Sequence, residues 1–515
     1  MVRRRLPIGM QTFRELRELG CYYVDKTAYI QRLLHAGKHY FLSRPRRFGK
    51  SLLLDTLKEV FEGNQALFSG LYIHDRHDWS ERHPVARLDF GSGHFGEPGS
   101  LRANVSAQLD DLEVRAGVSP RYDTAPERFG YLIRALRERA GQPVAVLVDE
   151  YDKPILDAMG TPDVARANRD YLRGLYGVIK SNDAHVRFTF LTGVSKFTKV
   201  SVFSELNNLT DLTLDRRYSA ICGYTEEDLD TVFAPELAGL DRERVRDWYN
   251  GYGWRGADKV YNPYDVLLLF DSREFKAHWF ETGTPAFLVD TLLERQVASV
   301  SLNEMMSTED LLSAFDVERI GTEALLFQTG YLTITGEEEL GGMPLYRLGY
   351  PNREVRQSLN RVLLRHLVQD AARQTVNSVR LARLLAAHDC AGLQEMFHAL
   401  FASIPYEWYT NNDMARYEGY YASVFYSYFA ALGYEIVVEE SSSHGRLDMT
   451  VRTGGHVYLF EFKVVELSAP GSALAQLQER DYAAKYRGRG EPIHLIGVEF
   501  SHQTRNVTAF EVVDG

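Results

Sequence analysis

Apolar and polar positions along this chain follow two rhythms, one of strands and one of helices. Tyr40-Phe41-Leu42 is a short apolar run that stops at Ser43, and after Lys50-Ser51 the residues Leu52, Leu53, Leu54, Leu57, Val60 and Phe61 recur at helical spacing. The pattern predicts strand, loop, helix. Pro143 to Val148 is a continuous apolar run, of the kind that forms a strand buried on both faces, and it ends in Asp149-Glu150. A third such run, Val186 to Leu191, leads into Thr192-Gly193. Further on, Leu325-Leu326-Phe327 passes through Gly330 into Tyr331-Leu332-Thr333-Ile334, an acidic, Gly-rich turn from Glu337 to Gly342, and Leu345-Tyr346-Arg347-Leu348. This predicts helix, strand, tight turn, strand. From Glu354 to Phe401 the apolar spacing predicts helices. Tyr417 to Phe429 is an aromatic helical stretch, followed by strands at Tyr434 to Glu439, Gly445 to Val451 and His456 to Val464, with Thr453-Gly454-Gly455 as a hairpin turn.

Composition narrows the class. A chain of 515 residues exceeds one hydrophobic core, so roughly two to four domains are expected. With 45% hydrophobic and 25% charged residues it reads as globular, and no apolar run approaches the length that crosses a bilayer. Met1-Val2-Arg3-Arg4-Arg5 runs straight into Leu6-Pro7 without a signal-peptide core, and the three cysteines, Cys21, Cys222 and Cys390, lack metal-ligand spacing. The expectation is a cytoplasmic protein whose metals are held by oxygen. A net charge of −11 argues against a nonspecific nucleic-acid coat, yet Arg44, Arg46, Arg47 and Lys50 form one local basic cluster and Lys485, Arg487 and Arg489 another.

The loop Arg46-Arg47-Phe48-Gly49-Lys50-Ser51 has the chemistry of a phosphate loop. Backbone N–H groups at a helix N-terminus cradle phosphate oxygens, Lys50 neutralises the outer phosphates and Ser51 holds Mg2+. Arg44 stands where the generic pattern has its first Gly. The strand ending in Asp149-Glu150 resembles a Walker B strand, with Asp149 in the Mg2+ shell and Glu150 polarising the attacking water. Thr192 or Ser195 would sense the outer phosphate, and Arg216-Arg217 could include an arginine finger acting on a neighbouring subunit. Together with Tyr23-Val24-Asp25-Lys26-Thr27, Phe203-Ser204-Glu205-Leu206-Asn207-Asn208-Leu209, Trp248-Tyr249-Asn250-Gly251-Tyr252 and Tyr261-Asn262-Pro263, these segments resemble the predicted AAA-ATPase-like family of bacterial proteins. The resemblance implies ATP as ligand and makes Arg44 a family trait.

Near the end of the chain, side chains alternate faces along a strand, so Glu461 and Lys463 point the same way with Phe462 turned to the core. Asp448, on the partner strand of the hairpin, faces Glu461. Two carboxylates aimed at one point call for a divalent cation, and Mg2+ prefers oxygen ligands. This arrangement resembles the PD-(D/E)XK nuclease superfamily. The resemblance implies that Glu418 is the acidic residue of the first helix, Asp448 and Glu461 the metal ligands, Lys463 the catalytic cation, and Gln476 a group placing phosphate or water, with Gln478 open as the alternative glutamine.

The expected fold is α/β. It comprises an N-terminal P-loop NTPase-like parallel sheet (1–275), a winged-helix-like and helical connecting region (276–400) and a C-terminal restriction-endonuclease-like α/β domain (401–515). Two function classes remain open. One is an ATP-driven, Mg2+-dependent nuclease acting on DNA or RNA, with self-assembly through the ATPase-like domain as a further expectation. The other is a nucleotide-dependent sensor or scaffold that binds nucleic acid or a protein partner without cleaving.

Overall fold

The computed structural model describes residues 3–196, 208–283, 305–312, 321–368, 371–402, 418–442, 445–501 and 506–515, with a few single positions between them. The chain divides into two compact units, Met1–Phe287 with Met305–Asn352, and Leu288–Glu304 with Arg353–Gly515.

In the first unit, β1 (His39–Ser43), β2 (Val85–Asp89), β3 (Val144–Asp149), β4 (Val186–Gly193) and β5 (Thr210–Asp211) form an all-parallel sheet in the order β2-β3-β4-β1-β5. A parallel sheet is covered on both faces, which is why β1 and β3 are buried at every position and read as unbroken apolar runs. Helices Ser100–Ala116 and Ala125–Ala140 connect β2 to β3, and Pro162–Ser181 connects β3 to β4. Because β1, β3 and β4 run parallel, with β4 between the other two, their carboxyl ends share one edge of the sheet, where ligands of such sheets bind. Helix Lys50–Phe61 starts directly after Gly49, at φ 90°, and buries Leu53, Leu54, Leu57, Val60 and Phe61.

The same unit holds a small antiparallel sheet of β6 (Met305–Thr308), β7 (Thr333–Leu340) and β8 (Met343–Gly349), in the order β6-β8-β7, with helix Thr322–Thr329 before it. Glu337, Glu338 and Glu339 belong to β7 rather than to the turn. The turn is Gly341-Gly342 alone, both at positive φ (60° and 84°), as a two-residue hairpin connection requires. This hairpin is bound to the parallel-sheet region: Glu337 accepts from Arg216 at 2.7 Å and Arg255 at 2.9 Å, and the Thr333 hydroxyl accepts from the Gly253 N–H at 2.8 Å. The stretch 276–400 is therefore shared between the two units.

In the second unit, helices Arg353–Val368, Ala371–Ala386 and Cys390–Phe401 precede helix Glu418–Leu432 and a five-stranded mixed sheet. Its strands are β9 (Glu435–Ser442), β10 (Gly445–Thr453), β11 (His456–Val464), β12 (Ile493–Ser501) and β13 (Asn506–Asp514), in the order β13-β12-β11-β10-β9. β9, β10 and β11 form the antiparallel meander, whereas β11 and β12 run parallel and are joined through helix Ser472–Glu479. The alternation on β11 is the one its sequence predicts. Phe460 and Phe462 pack on Phe425 and Phe429 of the aromatic helix, with ring centroids 5.2 to 6.2 Å apart. Leu459 joins the opposite cluster with Leu447, Leu477 and Tyr482. Among the described residues no helix is long and apolar enough to cross a membrane.

Candidate functional site

At the edge of the parallel sheet the phosphate-like loop is held from three sides. Arg44 is fully buried, its guanidinium donating to the carbonyls of Ser43 (2.8 Å), Thr213 (3.0 Å) and Tyr218 (3.2 Å) and lying 4.1 Å from the Trp254 ring centroid. Burial brings its pKa down to about 10. It is a clamp under the loop, so the residue replacing the first loop Gly is a structural cation. The Arg46 carbonyl accepts from the Trp279 indole at 3.0 Å, and the Phe48 ring is buried edge-on to Tyr252 and Trp254.

Lys50 is buried, and its ammonium donates to the carbonyls of Arg44 and Pro45, both at 2.9 Å. Desolvation lowers its pKa, opposed by the charges of Glu150, Asp149 and Asp152. Asp149, at 1% exposure, has the Ser51 hydroxyl beside it and lies 3.4 Å from Arg87. Its pKa is raised to about 6, first by burial and then by the charge of Asp89. Glu150 follows at φ 48°, a left-handed conformation that costs a non-Gly residue about 1–2 kcal/mol, and Arg47 pays the same at φ 68°. Two strained residues facing one cavity mark a functional edge. The cavity is about 430 Å3, a size suited to a small ligand, and Arg46, Arg47, Gly49, Lys50, Ser51 and Glu150 line it.

Of the two sensor candidates, Ser195 is committed elsewhere. Its hydroxyl and N–H donate to Asp152 at 2.5 and 2.6 Å, with the Val194 N–H at 3.0 Å on the same carboxylate. Thr192 is fully buried opposite Leu42 of β1, and among the described residues its hydroxyl has no hydrogen-bond partner. Arg216 and Arg217 are engaged within the chain, with Glu337 at 2.7 Å and Asp215 at 2.6 Å.

In the second unit, Asp448 and Glu461 are the next residues on β10 and β11 beyond the last paired positions, Met449 and Phe460. Asp448 accepts from the Phe462 N–H at 2.8 Å, which fixes its carboxylate at the strand edge. Glu461, at 1% exposure, accepts from Lys463 at 3.0 Å and also from the Gln476 amide. Gln476 thus enters the site, while Gln478 is exposed. Glu418 opens helix Glu418–Leu432, but its side chain, like His444 and Tyr417, lies outside the described residues.

Two residues passed over in the sequence shape this second site. Gly497 is the register partner of Glu461 on β12, and a Cβ there would lie 2.5 Å from the Leu474 backbone nitrogen. Only glycine lets helix Ser472–Glu479 come close enough to carry Gln476 to Glu461. Glu499, paired with Lys463 and buried at 2% exposure, accepts from the Ala473 N–H at 3.3 Å and so holds the first turn of that helix. A glycine inside an apolar strand run was the available signal.

Comparison with known proteins matches both regions. Residues 7–203 match the family model of a predicted AAA-ATPase, and residues 416–510 match that of the PD-(D/E)XK nuclease superfamily. A protein of Azotobacter chroococcum mcd 1, described as "Uncharacterized protein in vnfD 5'region", is 58% identical over 513 residues, covering 99% of each chain. The chain belongs to this family of predicted AAA-ATPase-like proteins with a PD-(D/E)XK nuclease superfamily domain. In the AAA-ATPase-like region, Ser51 and Asp149 are adjacent oxygen donors, a set that suits Mg2+. In the PD-(D/E)XK region, Asp448 and Glu461 provide two carboxylates at the same end of the β10–β11 pair, a donor set of the kind the same hard cation prefers. Among the described residues no group of three or more His, Cys, Asp or Glu side chains is arranged to hold a metal. Water and phosphate oxygens would complete either shell, as is usual for Mg2+.

Proposed function

We propose that the chain binds and hydrolyses ATP in the cavity of its first unit, and that with Mg2+ it breaks phosphodiester bonds of DNA or RNA at the joined ends of β10 and β11, ATP turnover gating the cleavage. The observation that carries the nuclease reading is the bonding of Lys463 and Gln476 to the Glu461 carboxylate, next to the strand end where Asp448 accepts from the Phe462 N–H. Asp448 and Glu461 would hold a Mg2+ ion, which would supply charge against the scissile phosphate and acidify a water molecule. Gln476 and Lys463 hold the Glu461 carboxylate in one orientation, and the Lys463 ammonium offsets charge on the phosphate oxygens. In the first unit, Lys50 with Arg46 and Arg47 neutralises the triphosphate, Ser51 and Asp149 would hold Mg2+, and Glu150 takes a proton from the attacking water. Nucleic acid is the expected partner, and self-assembly would run through the ATPase-like region in the cytoplasm.

The test is cleavage of supercoiled DNA, single-stranded DNA and RNA with Mg2+, with and without ATP. Asp448→Ala and Lys463→Ala are expected to abolish cleavage while leaving ATP binding intact. Full cleavage by both variants sinks the reading. A sensor that grips nucleic acid without cutting is favoured by one observation, the Lys50 ammonium turned onto its own loop carbonyls. That reading predicts metal-independent binding and no scission by the wild type.

A further inference from the structure

We propose that Arg47 is a catalytic cation acting in cis, donating to the oxygen between the β- and γ-phosphates as ATP is split. This rests on reading the first unit as an ATPase. The backbone on either side of Arg47 is fixed: the Arg46 carbonyl is held by Trp279 and the Phe48 ring is buried against Tyr252 and Trp254. Arg47 itself sits at φ 68°, where glycine would be relaxed. A long cationic side chain kept in a glycine-favouring conformation is directed out of the loop, and it is exposed and lines the same cavity as Lys50, Ser51 and Glu150.

Arg46, half-buried, shares the cavity lining with Arg47, which is exposed, and the lysines near the cavity are already neutralised or bonded. Lys26 pairs with Asp228 at 2.8 Å, Lys153 with Asp157 at 2.5 Å, and Lys50 donates to two carbonyls. Among the described residues no carboxylate lies within ion-pair reach of Arg47. Its contact is the face of Tyr264, 4.8 Å from the ring centroid, on the first turn of helix Pro263–Ser272. A guanidinium stacked on a ring keeps its N–H donors available to an anion. The two arginine-finger candidates, Arg216 and Arg217, pair with Glu337 and Asp215 of their own chain.

In the step itself, a bond forms between the water oxygen and the γ-phosphorus as the bond from that phosphorus to the bridging oxygen breaks. The electron pair stays on the bridging oxygen, which becomes a terminal oxygen of ADP. The water proton passes to the Glu150 carboxylate and then to solvent. Arg47 stays protonated throughout and meets the charge that gathers on the leaving oxygen.

The decisive variant is Arg47→Gly, because φ 68° suits glycine and the loop should fold at least as well. Calorimetric titration of the full chain measures affinity for ADP and for ADP with aluminium fluoride, and steady-state assays measure hydrolysis. The expected result is ADP affinity within about threefold of wild type, loss of the extra affinity conferred by aluminium fluoride, and a fall in kcat of about a thousandfold. Arg47→Lys should recover only part of it, and mixing Arg47→Gly with Lys50→Ala should restore nothing. Retention of the aluminium fluoride effect by Arg47→Gly, or recovery of activity in the mixture, overturns the assignment. A wild-type chain that fails to bind or hydrolyse ATP overturns the ATPase reading and this inference with it. Normal wild-type hydrolysis with an indifferent Arg47→Gly variant removes the inference alone.

Discussion

Replacing Arg44 by glycine would restore the common phosphate-loop pattern, and the structure predicts that it harms the protein. The side chain donates to three carbonyls at 2.8, 3.0 and 3.2 Å and covers the Trp254 ring. A hydrogen bond from a charged donor contributes about 2 kcal/mol, and removing it here leaves buried carbonyls without donors. The ring contact adds about 1.5 kcal/mol. Against this stands the cost of burying the charge. A pKa lowered from 12.5 to about 10 corresponds to about 3 kcal/mol. Counted over the three bonds, roughly 4 kcal/mol of net stabilisation remains, which for a unit of this size is a fall in Tm of about 6 °C. Differential scanning calorimetry of the full chain reads this, with ATP used to mark which transition belongs to the first unit. An Arg44→Gly chain with unchanged Tm and tighter ATP binding would show that the guanidinium is a displaced phosphate ligand and refute the clamp.

Other expectations follow from the same geometry. The folded pKa of Asp149, about 6, lies above its ordinary value of 3.8, so its contribution to stability is full below pH 3.8 and is lost as pH rises through 6. Asp149→Asn should therefore stabilise the nucleotide-free chain by up to about 3 kcal/mol at pH 7.5 and by nothing near pH 3.5, as read by urea titration at each pH. Gly497→Ala must push helix Ser472–Glu479 away, because the new methyl meets the Leu474 backbone at 2.5 Å. The cost is about 1–3 kcal/mol of stability, and cleavage should fall by at least about tenfold as Gln476 leaves Glu461. Normal cleavage by this variant would remove Gln476 from the site. Glu499→Gln, which keeps an acceptor for the Ala473 N–H, should retain most cleavage, whereas Glu499→Ala should lose it together with about 1–2 kcal/mol.

What the sequence disclosed were features carried by local period. The strand–loop–helix around Lys50, the apolar run into Asp149-Glu150 and the face shared by Glu461 and Lys463 all appear in the fold, because burial on both faces or on one imposes a pattern over a few residues. Strand order was not legible, since β4 entering between β1 and β3 is a pairing of distant segments. The inward turn of Arg44 was hidden for another reason: a charge in a basic cluster reads as surface, and only the three carbonyls around it reverse that. β12 and β13 went unclaimed although Ile493, Leu495, Ile496, Val498 and Phe500 make that segment largely apolar, and with them went Gly497 and Glu499. Their roles exist only against a helix that the chain reaches by a crossover.

The small hairpin sheet of the first unit has a practical consequence for anyone dividing this chain. Lys196, three residues past the end of β4, donates its N–H to Gln328 at 2.8 Å, Lys259 reaches the Ile334 carbonyl at 2.5 Å, and a Cβ on Gly330 would collide with Pro45 at 2.7 Å. A truncated protein ending near residue 275 would strip the lining from beneath its own phosphate-like loop and leave a patch of sticky, unsatisfied backbone. A soluble fragment that behaves as an ATPase should instead retain everything up to Asn352.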